Sequence, residues 1–216
     1  MHCSMKSEKG NELQPRVIAI GGSANGFKGL VAILQAFPAG FPAAVVITQH
    51  RRRGVKSVLA RLLARRCKLL VKEATPDERL RPSVVYLAPP DHHLVVDDDH
   101  LGVTAGPPVN FSRPSIDVTF RSVASRCGSR AIGVVLSGGG RDGAEGLRAI
   151  KDAGGTTIVQ DPRDARIAMM PLHALAADHV DFTLPIAEIG PTLVRLVTES
   201  PDGDDVDRPV PHEVAR

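Results

Sequence analysis

The sequence predicts an α/β fold: a Rossmann-like, doubly wound, mostly parallel sheet with helices on both faces and a small antiparallel β excursion. Short apolar runs alternate with segments of helical apolar spacing, an alternation typical of parallel sheets. In the middle of the chain, shorter runs separated by proline and aspartate interrupt that alternation and indicate antiparallel strands. The 216 residues are 43% apolar, which suffices for one buried domain and leaves little room for another.

The first strands are predicted at 17–20 and 43–48, where apolar runs end at small or polar residues. A helix is predicted after each strand, because the apolar residues recur three and four positions apart. They are Phe27, Leu30, Val31 and Leu34 in the first helix, and Val55, Val58, Leu59, Leu62 and Leu63 in the second.

The antiparallel excursion is predicted from three short runs at 84–87, 93–96 and 101–104. A helix should follow, with Ser115 as its N-cap and Val118, Phe120 and Val123 within it.

The α/β alternation then resumes with predicted strands at 131–136, 156–159 and 179–184. Helices are predicted at 142–152, within 164–177, and as a closing helix marked by Ile186, Ile189, Leu193 and Leu196. We expect the domain to span 16–198, preceded by a disordered extension at 1–15 and followed by an acidic disordered tail at 199–216.

Composition excludes several classes of protein. No run approaches 18 apolar residues, and the polar first twelve residues lack the apolar core of a secretory signal. The three cysteines form no CxxC pair, which predicts reduced thiols in a cytoplasmic protein. With a net charge of only +3 and 3% aromatic residues, nucleic acid is not an expected partner.

Three polar side chains follow predicted strands, where ligands of open α/β sheets bind. Ser23 follows the first strand, His50 the second, and Asp142 the strand at 131–136. A hydroxyl becomes a good nucleophile when an imidazole takes its proton and a carboxylate orients that imidazole. The sequence therefore predicts a serine-hydrolase triad, with backbone N–H groups after Ser23 as oxyanion donors.

Spacing alone leaves other interpretations of these residues open. The sequence around Ser23 is also ordinary turn chemistry, and Asp142 is also a plausible helix N-cap. The run from Gly138 to Gly143 matches G-x-G-x-x-G, and Asp161 stands where a dinucleotide site has its ribose-binding acid.

A metal site is a further alternative. It would use His92, His93 and His100, but their spacing matches no standard metal signature.

Seven ordered stretches resemble the catalytic domain of the chemotaxis protein-glutamate methylesterase family, CheB. They are IAIGGS (18–23), QH (49–50), VKEA (71–74), VYLAP (85–89), RPSID (113–117), LSGGGRDGAEGL (136–147) and QD (160–161). The resemblance implies a hydrolase that removes methyl esters from glutamates of chemoreceptor cytoplasmic helices and also deamidates receptor glutamines. It implies Ser23 as nucleophile, His50 as base and Asp142 as acid, with no cofactor or metal.

The sequence departs from the family pattern at four positions: Asn25, Arg51, Gly139 and Met169. We expect Ala24 and Gly139 to supply the oxyanion N–H groups, and Arg51, with the arginines that follow it, to form a basic rim for the substrate. The alternative function is a non-catalytic signalling module that docks on a receptor or a sensor kinase. The fifteen residues before the first strand are too few for the family's receiver domain, so we expect regulation to come from elsewhere or to be absent.

Overall fold

The computed structural model describes residues 15–23, 26–51, 58–177 and 179–199. Ten strands and six α-helices are named here within those residues. Of the predicted extension at 1–15 and tail at 199–216, residues 1–14 and 200–216 lie outside the described residues. No helix of the described part is long and apolar enough to cross a membrane.

A seven-stranded sheet, parallel throughout, forms the centre of the fold, in the order β10-β9-β8-β1-β2-β5-β3. The seven strands are, in chain order, β1 (Arg16–Gly22), β2 (Ala43–Gln49), β3 (Leu70–Glu73), β5 (Val84–Leu87), β8 (Ala131–Val135), β9 (Thr156–Gln160) and β10 (Phe182–Leu184). The chain builds β2, β3 and β5 on one side of β1 and then crosses to β8 on its other side, which confirms the doubly wound fold.

A separate antiparallel sheet of β4-β7-β6 confirms the predicted excursion. Its strands are β4 (Glu78–Arg79), β6 (His93–Asp97) and β7 (His100–Thr104). The run at 84–87 was predicted to belong to this excursion, and that was wrong: it forms β5 and pairs in parallel with β2 and β3. A buried apolar run fits either kind of sheet, so its partner depends on the tertiary fold.

Six helices cover the two faces of the large sheet: α1 (Phe27–Ala36), α2 (Leu59–Ala64), α3 (Ile116–Cys127), α4 (Ala144–Asp152), α5 (Met169–Ala176) and α6 (Ile186–Thr198). Apolar side chains of α1, α2 and α6 form one core, with Leu30, Leu63 and Leu193 among its buried members. The core of the other face contains Phe120 of α3, Leu147 of α4 and residues of the small sheet.

The second helix differs from its sequence prediction. It begins only at Leu59, and Leu63 is its one buried residue, whereas Val58 is 48% exposed and Leu62 is 39% exposed. Val55 lies outside the described residues. A helix of six residues cannot turn the whole predicted stripe toward the sheet.

Candidate active site

Ser23, His50 and Asp142 follow three neighbouring strands at the carboxyl edge of the sheet. Gly22 and Gln49 are paired at the ends of β1 and β2, so the residues after them lie side by side. The His50 amide donates a hydrogen bond to the Gly22 carbonyl at 3.0 Å. Asp142 lies in the loop after β8, on the other side of β1, where the strand order reverses. Crevices at such reversals are the usual ligand sites of open α/β sheets.

The imidazole of His50 is hydrogen-bonded to Asp142. The distance between His50 Nε2 and Asp142 Oδ2 is 2.7 Å, and Asp142 is only 3% exposed. Because Nε2 is engaged with the carboxylate, Nδ1 is the ring nitrogen that remains to exchange protons at the site. The carboxylate thus fixes the orientation of the imidazole as in a catalytic triad, but through Nε2, whereas the carboxylate of the standard triad binds Nδ1.

Asp142 stays ionised because hydrogen bonds surround it. Burial raises the pKa of its carboxyl, but the bonds from His50 and other donors outweigh burial and lower it. Those donors are Ser115 Oγ and Asn110 Nδ2 to Oδ1, at 2.8 and 3.1 Å, the Ile116 amide to Oδ2 at 2.8 Å, and the Asp117 amide to Oδ1 at 3.1 Å. The two amides belong to the first turn of α3, so Asp142 caps that helix from another part of the chain.

The capping of α3 and α4 differs from the sequence prediction. Ser115 precedes α3 as predicted, but its hydroxyl donates to Asp142 and makes no cap bond. Asp142 does not begin α4 either, because that helix starts after Gly143, whose φ is +100°. The distant Asp142 and Asp117 take over the two capping tasks.

Asp117 is the counterpart of Asp142 at the start of α4. Its Oδ1 accepts hydrogen bonds from the Gly143 amide at 3.0 Å and the Gly146 amide at 2.7 Å. Burial and, to a smaller extent, the nearby Asp142 charge raise the pKa of Asp117, against the lowering effect of the Gly146 amide. Asn110 Nδ2 donates to Asp117 Oδ2 at 2.6 Å and so bridges the two carboxylates.

Ser23 lies between the end of β1 and the loop that follows β8. Its amide donates to the Ser137 carbonyl at 3.2 Å, and its carbonyl accepts from Gln49 Nε2 at 3.1 Å. A Cβ added to Gly138 would lie 2.9 Å from Ser23 Cβ, so this loop presses directly against the serine. Within the described residues, no hydrogen bond joins the Ser23 hydroxyl to His50. The nucleophilic role of Ser23 therefore stays a prediction.

A cavity of about 330 Å³ opens beside His50 and Asp142. Its other lining residues are Asn110, Phe111, Ser112, Gly139, Gly140, Arg141 and His173. The structure gives the Gly139 N–H no hydrogen-bond acceptor among the residues it describes, so this group is free to serve as an oxyanion donor. The other candidate donor, Ala24, and the adjacent Asn25 lie outside the described residues.

Arg51 is held by its neighbours. Its guanidinium donates to the Ala88 carbonyl and to Glu73 Oε1, the latter at 3.2 Å, and its side chain is 14% exposed. Burial lowers the pKa of this guanidinium, and Glu73 opposes the shift. Its predicted role in a substrate rim stays a prediction, and Arg52 and Arg53 lie outside the described residues.

The residues of the candidate metal site and of the candidate dinucleotide site bind other partners in the structure. His93 bonds to the Pro107 carbonyl, His92 to the Pro90 carbonyl, and His100 to Asp99. Among the described residues, no group of three or more His, Cys, Asp or Glu side chains is placed to hold a metal ion. Asp161, the candidate ribose partner, binds the Arg163 guanidinium, with 2.7 Å between Oδ2 and Nη2.

Residues 18–193 match the family model described as CheB methylesterase. A putative protein-glutamate methylesterase/protein-glutamine glutaminase of Leptospira interrogans is 40% identical over 180 residues, covering 83% of this chain and 93% of that protein. A protein-glutamate methylesterase/protein-glutamine glutaminase of Maricaulis maris is also 40% identical, but the chain spans only 47% of its length.

Among solved structures, the Thermotoga maritima CheB methylesterase catalytic domain superposes with a TM-score of 0.81 at 33% identity. The match covers 85% of this chain and 99% of that domain.

Proposed function

The chain belongs to the CheB methylesterase family, and we propose that it hydrolyses glutamate γ-methyl esters through Ser23, His50 and Asp142. The family relationship carries the methylesterase activity. The observation that supports these particular residues is the 2.7 Å bond between His50 and Asp142, which both line the cavity. Ser23 follows β1, whose end is paired with the end of the strand that precedes His50.

In the first half of the proposed reaction, Ser23 Oγ attacks the carbonyl carbon of the ester while His50 Nδ1 takes the hydroxyl proton. The ionised Asp142 stabilises the imidazolium that forms, which is why its many hydrogen bonds matter for the reaction. The free N–H of Gly139 is the proposed donor to the negative oxygen that develops on the carbonyl, and its hydrogen bond stabilises that charge. Collapse of the intermediate breaks the bond to the methoxy group, and the His50 proton leaves with methanol.

In the second half, His50 accepts a proton from a water molecule that attacks the acyl group on Ser23. The bond between the acyl carbon and Ser23 Oγ breaks, the hydroxyl regains its proton, and a glutamate carboxylate is released. The same steps on a glutamine side chain release ammonia in place of methanol. The glutaminase activity in the names of the relatives supports this second substrate.

The partners that we propose are the methylated cytoplasmic helices of chemoreceptors, with the reaction in the cytoplasm. CheB methylesterases act on methylated chemoreceptors as a class. Docking on a sensor kinase without catalysis is not favoured, because the relatives are named as hydrolytic enzymes and all three triad residues are present.

Methanol release from a chemoreceptor methylated by a methyltransferase tests the proposal. Ser23→Ala and His50→Ala should each reduce the rate by about 10⁴-fold or more, because triad residues act as a unit. For the same reason, the double variant should be little slower than Ser23→Ala. The matched control is Ser125→Ala, an exposed serine on α3, which should keep the wild-type rate. Unchanged methanol release by Ser23→Ala would contradict the proposal.

A further inference from the structure

Phe111 is the most exposed large apolar side chain in the described part of the chain, and it lines the cavity beside His50. Its side chain is fully exposed at 103%, against 62% for Leu70, the next highest. Phe111 and Asn110 form the two central residues of a tight turn closed by Val109 and Ser112. The amides of Val109 and Ser112 donate to each other's carbonyls at 3.1 and 2.9 Å.

Folding alone gives no reason for a phenylalanine at this position. Both central residues are left-handed, with φ of +50° at Asn110 and +61° at Phe111. Asparagine and glycine adopt this conformation readily, whereas a bulky side chain is strained there. Phe111 therefore combines an unfavourable backbone conformation with an apolar ring in water. Strain of this kind persists mainly at sites of function.

The turn is fixed to the proposed catalytic residues. The Asn110 side chain, adjacent to Phe111, donates to Asp142 at 3.1 Å and to Asp117 at 2.6 Å. Because Asp142 also binds His50, a short chain of hydrogen bonds links the turn that carries Phe111 to the imidazole. The ring therefore lies beside the site, and no side chain among the described residues covers it.

We propose that Phe111 determines specificity for protein substrates by packing on an apolar side chain next to the reactive glutamate. This inference rests on the proposed function and names what its site recognises: an ester carried on an amphipathic helix. Side chains three or four positions apart on a helix are about 5–6 Å apart at Cβ. When a glutamyl ester enters the cavity, the neighbouring turn of its helix then lies over the ring at the cavity mouth. A small free ester has no such neighbour and does not use the ring.

The test compares two substrates across variants of Phe111. Phe111→Asn and Phe111→Gly remove the ring but suit the left-handed turn, so their Tm should equal or exceed that of the wild type. We expect kcat/KM on a methylated receptor fragment to fall about tenfold more than on N-acetylglutamate γ-methyl ester, mainly through KM. The matched control is Leu70→Asn, which alters an exposed apolar residue at the start of β3, at the opposite edge of the sheet, and should change neither rate.

A binding measurement separates this inference from the proposed hydrolysis. In the Ser23→Ala background, Phe111→Asn should weaken the Kd for the methylated receptor fragment about tenfold, whether or not the wild-type protein turns over. Unchanged binding would overturn the inference. Equal losses on the receptor fragment and the small ester would also overturn it, because the ring would then act on the site itself.

Discussion

Gly138→Ala tests how closely the loop after β8 supports the proposed nucleophile. The added methyl group would lie 2.9 Å from Ser23 Cβ and 2.0 Å from Met170 Sδ. Ordinary carbon contacts lie at about 3.5–4.0 Å, so Ser23 Cβ has to retreat by roughly 0.6–1.1 Å. Met170 can turn its flexible end, but it is 1% exposed and surrounded by core. The methyl group therefore acts directly on the position of the serine.

Two magnitudes follow from that displacement. Overpacking of this kind costs about 1–3 kcal/mol, and each kcal/mol lowers the Tm of a domain of this size by about 2–4 °C. A misplacement of about 1 Å in a catalytic group costs roughly 10²-fold in rate. We therefore expect a folded variant with a lower Tm and a kcat for methanol release reduced by about a hundredfold.

The assay pairs Gly138→Ala with Gly139→Ala, which serves as the stability control. A Cβ on Gly139 would meet nothing within 4 Å, so its Tm should stay close to the wild-type value. Thermal unfolding and methanol release are measured on the same preparations. Gly138→Ala with the Tm and kcat of the wild type would refute the packing of Ser23 against this loop.

Two further predictions concern the charges around the site. Asp142→Asn should lower kcat by about 10³–10⁴-fold. Because the folded-state pKa of Asp142 is lowered, its contribution to stability is present above its unfolded pKa and is lost as pH falls through the folded value. Urea unfolding should show a wild-type advantage over this variant at pH 7 that shrinks at pH 3, and a constant difference would contradict the shift. Arg51→Ser should lower the Tm, since the Arg51 guanidinium is bound to Glu73 and to the Ala88 carbonyl. A raised KM at unchanged Tm would contradict this structural role and would favour a role of Arg51 in a rim that binds the substrate.

The sequence was sufficient to predict the edge of the sheet at which the site lies. Strands β1, β2 and β8 are apolar runs with clear ends, and parallel strands bring their carboxyl ends to one edge. Ser23, His50 and Asp142 could therefore be grouped before their distances were known. The contact between His50 and Asp142 is observed, whereas the role of Ser23 stays a prediction.

Long-range partners could not be predicted from periodicity. The hydrogen bonds of Asn110 and the exchange of helix caps between Asp117 and Asp142 join loops and helices separated by 7–32 residues. No local sequence pattern marks such contacts. Asn and Asp are common in ordinary turns, so their presence in a loop does not indicate a distant partner. Asp117 lies in the RPSID stretch, which pointed to the family but not to the capping of α4. The same limit explains the wrong partner for β5, whose run suits any buried strand.

Labelling with a fluorophosphonate, which reacts only with an activated serine, tests the central claim most directly. We expect one label per chain, located by peptide mass spectrometry on Ser23, with loss of methanol release in proportion to labelling. Labelling should fall sharply in His50→Ala, which removes the base, and should vanish in Ser23→Ala. Full labelling of Ser23→Ala, or a label on another serine such as Ser112 in the cavity wall, would contradict the claim that Ser23 is the nucleophile.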